Sequence, residues 1–400
     1  MLPTWVLPNP HRRAMTVAPA SRDTLEFHRR LPGYAPTMLV DAPLLADSLG
    51  VGRVLVKAET QRLGLPAFKI LGASWATYCA LVDHVGHDPG PWSTVHELAR
   101  LLNPLKPFTL ATATDGNHGR AVAFMARLLG FEAHVFVPTG TSAARIEAIR
   151  GEGANVTIVD GDYDQAVQRA ALEASERCLV VSDTSWPGYE VTPHRVAEGY
   201  ATIFHEIDDT LAAAEASAPD VVVVPVGVGA LMAAAVTHYR SGRDDAAGAS
   251  RPAPVLVGVE PADANCVQAS VRAGRIVSTP GPHHSIMVGL NCGTPSLVAW
   301  PLLEAGVDCY VSMDDSWAAQ AMRDLAEAGV VSGETGAASL GGLEALLSSP
   351  DAAGHREALG LHSESTVLLL CTEGATDPAT YERLVGRRPD AAGSIMRVSR

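Results

Sequence analysis

Short runs of β-branched and aliphatic residues recur along the chain, most of them closed by glycine or a polar turn and followed by a longer, alanine-rich stretch. RVLVKAE (53–59), FTLATAT (108–114), AHVFVP (133–138), NVTIVD (155–160), CLVVSD (178–183), DVVVVPV (220–226), PVLVGVE (254–260) and TVLLLCT (366–372) read as strands. Strands alternating with helical stretches predict an α/β architecture built on mainly parallel sheets. SGRDDAAGASRPAP (241–254), rich in small residues and proline, predicts a surface loop rather than a domain boundary, and GRRPDAAGSIMRVSR (386–400) a loosely held tail. No fixed-period repeat is visible, although a strand, a glycine turn and a helix recur together.

Length and composition narrow this picture. The 400 residues exceed what one hydrophobic core usually organises, so two domains or one large α/β unit are expected, and 47% hydrophobic residues suffice for a sizeable core. A net charge of −14 disfavours a polyanion partner, because nucleic-acid affinity rests on lysine and arginine neutralising phosphates. The six cysteines, Cys79, Cys178, Cys266, Cys292, Cys309 and Cys371, form no CxxC pair, so neither a zinc site nor a disulfide framework is expected and a cytoplasmic location fits. The amino-terminal MLPTWVLPNPHRRAMTV lacks the apolar segment of a signal peptide, and no charge-free apolar run reaches spanning length. A small-molecule substrate is therefore the expectation, with no nucleic acid and no membrane.

Four strand ends carry candidate chemistry, since ligands of open parallel sheets gather beyond the carboxyl ends of strands. In ATATDGNHGRAVAFMARLLG, a strand runs through Thr114, Asp115, Gly116, Asn117, His118 and Gly119 into an apolar helix; this is either a plain capped turn or a set of N–H groups for an anion. In VVVVPVGVGALMAAAV, Gly227 and Gly229 precede a helix and would let backbone approach a phosphate. A nicotinamide dinucleotide site is disfavoured, because Met232 stands where a third glycine belongs and Glu260 comes too late for the ribose. In LVVSDTSWPGYE, Asp183 is either a turn-former or an acid–base group. In TVLLLCTEGATD, Cys371 closes an apolar strand and reads equally as a small hydrophobe.

A lysine connects these places. The chain has three lysines, Lys57, Lys69 and Lys106, among thirty basic residues, and Lys69 lies in LGLPAFKILGASWA (63–76) just ahead of an apolar helix. Arginine serves for surface charge, whereas only a desolvated lysine forms a Schiff base. Pyridoxal phosphate requires a lysine for its aldehyde, a glycine turn for its phosphate and a polar partner for its ring nitrogen.

The motifs LPAFKILGAS, ATATDGNHGRAVA, DTSWPGYE, GVGAL, MVGLNCGTPS, SGETGA and CTEGATD occur in the order found in fold-type II pyridoxal phosphate enzymes, the tryptophan synthase β-like superfamily. Over residues 33 to about 383, the chain most resembles the diaminopropionate ammonia-lyases. The resemblance implies two α/β domains, a smaller one (77–192) inserted into a larger one (1–76 and 193–400), with pyridoxal 5'-phosphate in the cleft between them, and a homodimer. It implies that Lys69 binds the cofactor and that Asn117 bonds its phenolic oxygen. Gly227, Val228, Gly229, Ala230 and Leu231 would cup its phosphate, and Cys371 would face its ring nitrogen. Asp115 and Asp183 match aspartates associated with proton abstraction on the two faces of the substrate α-carbon. Thr114, Asp115, His118 and Glu334 are candidates for the substrate side, with structural roles open for His118 and Glu334.

The reaction implied is α,β-elimination of 2,3-diaminopropionate to pyruvate and ammonia, with an amino acid as the small-molecule partner. Ala73 in place of the second glycine of the usual FKALGGS, and Ala375 where relatives often carry aspartate, bear on the substrate rather than the cofactor. Serine or threonine dehydration, β-replacement and racemisation are the alternatives within this chemistry. A catalytically silent sensor that keeps the fold is the alternative outside it.

Overall fold

The computed structural model describes residues 4–114, 116–242 and 252–389. Asp115 and most of the expected loop (241–254) and tail (386–400) lie outside them. All eight predicted runs form strands, and the chain divides into two units, Met1–Ala20 with Pro36–Gln61 and Ile203–Arg400, and Ser21–Ala35 with Arg62–Thr202.

The first unit holds a seven-stranded sheet of β1 (Trp5–Pro8), β2 (Leu39–Asp41), β3 (Arg53–Ala58), β8 (Val221–Pro225), β9 (Val255–Pro261), β10 (Cys309–Met313) and β11 (Thr366–Cys371), in the order β1-β10-β9-β8-β11-β3-β2. Its inner strands are parallel and its two edge strands antiparallel. Strands covered on both faces need apolar residues at successive positions, which is why VVVVP in β8 is buried throughout.

The second unit holds four parallel strands, β4 (Thr109–Ala113), β5 (Glu132–Pro138), β6 (Asn155–Val159) and β7 (Cys178–Val180), in the order β6-β5-β4-β7. The mainly parallel α/β architecture expected from the sequence is therefore observed.

Strand order determines where ligands belong. In the first sheet the chain winds from β8 through β9 to β10 on one side, while β11 lies on the other side of β8. In the second it winds from β4 through β5 to β6, with β7 across from β5. Each sheet thus reverses direction once beside its central strand, and the crevice at such a switch point is where open α/β sheets bind ligands. The first switch point carries the Gly227 turn and Cys371, the second Thr114, Asn117 and Asp183.

Candidate active site

In the second unit, residues 62–68 form a tight turn with Leu63 and Gly64 at positive φ and a bridge between Arg62 and Leu65, before the helix Lys69–Val85 begins. Two glycines seat this helix. A Cβ on Gly72 would lie 2.6 Å from the Tyr200 ring and 2.7 Å from the Val196 carbonyl oxygen, and one on Gly199 would lie 2.5 Å from the Leu71 carbonyl oxygen. The helices Lys69–Val85 and Val191–Gly199 therefore touch backbone to backbone, and Trp75 Nε1 donates to Glu198 at 3.2 Å beside the contact. Lys69, in the first turn, keeps 19% of its side chain exposed and donates from Nζ to Asp183 Oδ2 at 2.6 Å.

Asp183 follows β7. Its approach is fixed by the WPGY turn, where Trp186 stacks on Tyr189 and the Tyr189 hydroxyl donates to the Val180 carbonyl at 2.7 Å while accepting from the Ser182 N–H. Tyr163, first residue of the capped helix Tyr163–Ala171, donates its hydroxyl to Asp183 Oδ1 at 2.9 Å. His118 Nε2 meets the Val181 carbonyl at 2.8 Å, so this nitrogen carries the proton and Nδ1 faces Asp183 Oδ2 bare at 3.9 Å. Burial lowers the His118 pKa despite the neighbouring carboxylate, so the ring is neutral. Burial alone would raise the Asp183 carboxyl, but the Lys69 charge, assisted by the Lys69 and Tyr163 hydrogen bonds, outweighs it and holds the group well below the ordinary carboxylate range.

Asn117 opens the helix Asn117–Leu129, and Thr114 Oγ1 accepts from the Gly116 N–H at 2.9 Å. Gly119 is required here, because a Cβ would meet Thr114 Cγ2 at 2.3 Å. The structure thus brings Lys69, Asp183 and His118 together in the second unit. Of the other lysines, Lys57 is fully buried on Glu206 at 2.7 Å, and Lys106 is exposed.

In the first unit, β8 leads into Gly227, Val228 and Gly229 and then the helix Ala230–Arg240. Gly229 adopts φ +102°, and a Cβ there would stand 2.3 Å from Leu303. On the neighbouring strand, the buried Cys371 thiol donates to Ser332 Oγ at 3.2 Å, and burial, against the hydrogen bond to Ser332, pushes its pKa up to about 12. Glu334, also buried, sits on a segment packed against residues 373–374. A Cβ on Gly333 would meet the Gly374 carbonyl oxygen at 2.4 Å, and Glu373 Oε1 accepts from the Thr335 N–H at 3.1 Å. Glu260 caps the helix Cys266–Ala273, its two oxygens accepting from the N–H groups of Val267 and Gln268 at 2.8 and 2.7 Å.

A pyridoxal-phosphate-dependent enzyme family matches residues 30–371. The chain belongs to the pyridoxal-phosphate-dependent enzymes. Within this family it is 35% identical over 373 residues to the diaminopropionate ammonia-lyase of Salmonella typhimurium, covering 91% of each chain. Its fold matches diaminopropionate ammonia-lyase from Escherichia coli in complex with D-serine at a TM-score of 0.85 and 31% identity, covering 96% of each chain. The holo form of the same Escherichia coli protein matches at 0.85 and 32%, again over 96% of each.

The residues present fit the family's cofactor. Lys69 offers a part-exposed primary amine. Gly229 admits no side chain, and the turn ends on the first N–H groups of a helix, which precede any intrahelical acceptor and favour a phosphate. Cys371 is a neutral thiol donor.

Sequence reading missed Tyr163, Ser332 and Glu373. Tyr163 stands twenty residues before Asp183 and carries no local signal beyond its place at a helix start. Ser332 and Glu373 fall inside the quoted motifs SGETGA and CTEGATD, which lie side by side in the fold although one runs between two helices and the other follows β11.

Proposed function

We infer that this chain catalyses pyridoxal-phosphate-dependent elimination of ammonia from 2,3-diaminopropionate, the released aminoacrylate taking up water to give pyruvate and a second ammonia. What supports the reading best is the Lys69–Asp183–Tyr163 constellation in a chain so similar to diaminopropionate ammonia-lyases over nearly its whole length. Bound pyridoxal phosphate withdraws electrons from the substrate α-carbon and so acidifies its hydrogen.

This chain's residues do the rest. Lys69 would hold the aldehyde, and the first-turn N–H groups of residues 230–231 with Gly227, Val228 and Gly229 would hold the phosphate. Asn117 would orient the phenolic oxygen and Cys371 would serve the ring nitrogen. A neutral thiol donates weakly and leaves that nitrogen without a carboxylate partner, which suits elimination better than transamination. Asp183 takes the α-proton on one face of the substrate and Asp115 on the other. While Lys69 is charged, its field keeps Asp183 a weak base; with that charge removed, burial would dominate and the carboxylate would gain basicity. The Lys69 amine, 2.6 Å from Asp183, is placed to exchange a proton with it and would hand one to the departing β-amino group. His118, neutral, positions the turn, Thr114 and Glu334 line the substrate side, and the enzyme works as a cytoplasmic homodimer.

The test is pyruvate release from D- and L-2,3-diaminopropionate by the purified protein supplied with pyridoxal phosphate. Pyruvate from either isomer, abolished in Lys69→Ala, is the expected result. A second reading, dehydration of a hydroxy amino acid, draws on the D-serine bound by the Escherichia coli relative. Pyruvate from D- or L-serine with none from diaminopropionate would replace the first reading with it.

A further inference from the structure

Apart from the residues assigned above, the first unit brings two imidazoles and a carboxylate together. His205 and Asp208 lie three residues apart on the helix Ala201–Ala213, a spacing that puts both on one face. His238 comes from the last turn of the helix Ala230–Arg240, and the ligand atoms of all three lie within 4.8 Å of one another. We propose that His205, Asp208 and His238 form a binding site for a divalent transition-metal ion of the zinc type.

Four observations carry this. His238 Nε2 stands 3.4 Å from Asp208 Oδ2, close to the roughly 3.3–3.5 Å that separates two ligands about 2.1 Å from a tetrahedral ion. Ring contacts fix the His238 imidazole plane: it stacks on Phe204 at 5.2 Å and meets Tyr239 edge-on at 4.7 Å. A metal site needs its ligands held in this way before the ion arrives. His238 also sits at the carboxyl end of its helix, where the partial negative charge of the carbonyls favours a cation. The nearby guanidinium of Arg240 is turned to Asp308 and to the carbonyls of Pro254 and Gly306.

The donor set selects the ion. Two imidazole nitrogens with one carboxylate suit zinc, cobalt or nickel, whereas magnesium and calcium prefer oxygen throughout. The two histidines are buried, while Asp208 keeps 27% of its side chain exposed, which gives solvent a route in and leaves a coordination position for water. The bound ion joins the helix Ala201–Ala213 to the helix that starts at Gly229, and so braces the phosphate turn from its far end. No sequence signature marks the site, because its donors come from helices on either side of β8.

The test is zinc binding to the chelator-treated holoenzyme by equilibrium dialysis with elemental analysis, and the spectrum of cobalt added in its place. One zinc per chain is expected in the wild type. Asp208→Asn and His205→Gln should each weaken binding at least about tenfold and abolish the ligand-field bands of cobalt, since losing even a residue that only supports a ligand costs that much. Asp208→Asn keeps the shape of a part-exposed side chain, so it decides the matter if His205→Gln fails to fold. Zinc bound equally by wild type and Asp208→Asn, as adventitious thiol binding would give, overturns the proposal. So does a wild type that binds none. Neither readout uses pyruvate formation, so its outcome is independent of the elimination reading.

Discussion

Asp183 is buried and still ionised, because an ammonium and a phenol each give one of its oxygens a hydrogen bond. A hydrogen bond to a buried charged group contributes about 1.5–3 kcal/mol, so Tyr163→Phe should lower kcat/KM at least tenfold while leaving the cofactor's absorbance in place. The same change should move the acidic limb of the pH–rate profile upward, since Asp183 loses a donor that favours its charged form. Stability responds with a definite sign. A carboxyl depressed in the folded state contributes stability that is fully present above its unfolded pKa and is lost as pH falls through the folded value, and in Tyr163→Phe, whose folded value is higher, that contribution is smaller and its loss is complete at higher pH. Urea midpoints of both proteins from neutral to acid pH check this, and parallel curves would remove Tyr163 from the account. Sequence made Asp183 visible because a strand-end aspartate before a Trp-Pro-Gly turn is conspicuous. Tyr163 was invisible because its contact exists only once the crossover from β6 to β7 has folded over the sheet.

Among the elements, the helix Lys69–Val85 shows how packing places chemistry. Gly72→Ala would drive a Cβ to within 2.7 Å of the Val196 carbonyl oxygen, which is backbone and cannot turn aside. The two helices must separate, at a cost of about 1–3 kcal/mol, and Lys69 moves with the first turn. Urea unfolding should register the loss, and turnover should fall further than the stability change alone accounts for. Unchanged stability would mean that the helix contact is slack. The helix was legible from its apolar run, and eight of the eleven strands from their β-branched runs. The strands that went unread explain themselves physically. β1 and β2 are short edge strands, one ending in proline, and CYVSM in β10 is buried at every position yet interrupted by cysteine and serine. A serine that bonds inward looks like a turn residue until its partner Gln268 is known.

For the whole molecule, binding of pyridoxal phosphate, the cofactor of the family to which the chain belongs, is measurable as stability. A ligand held at a hundredfold excess over its dissociation constant stabilises the folded state by about 2.7 kcal/mol. Stripping pyridoxal phosphate should therefore lower the Tm by several degrees, and adding it back should restore the value. The chemistry of the residues separates two parts of this effect. Lys69→Ala cannot bond the aldehyde but keeps Gly227, Gly229 and the helix start, so pyridoxal phosphate should still raise its Tm, by less than in the wild type. Inorganic phosphate alone should raise the Tm of both stripped proteins equally, because the turn proposed to bind it lies outside the mutated residue. A Gly229→Ala protein, in which a Cβ must occupy space held by Leu303 and adopt a left-handed backbone, should lose the phosphate response while its Lys69 remains. If phosphate stabilised Gly229→Ala as well as the wild type, the anion would be held elsewhere and the glycine turn would have only a packing role.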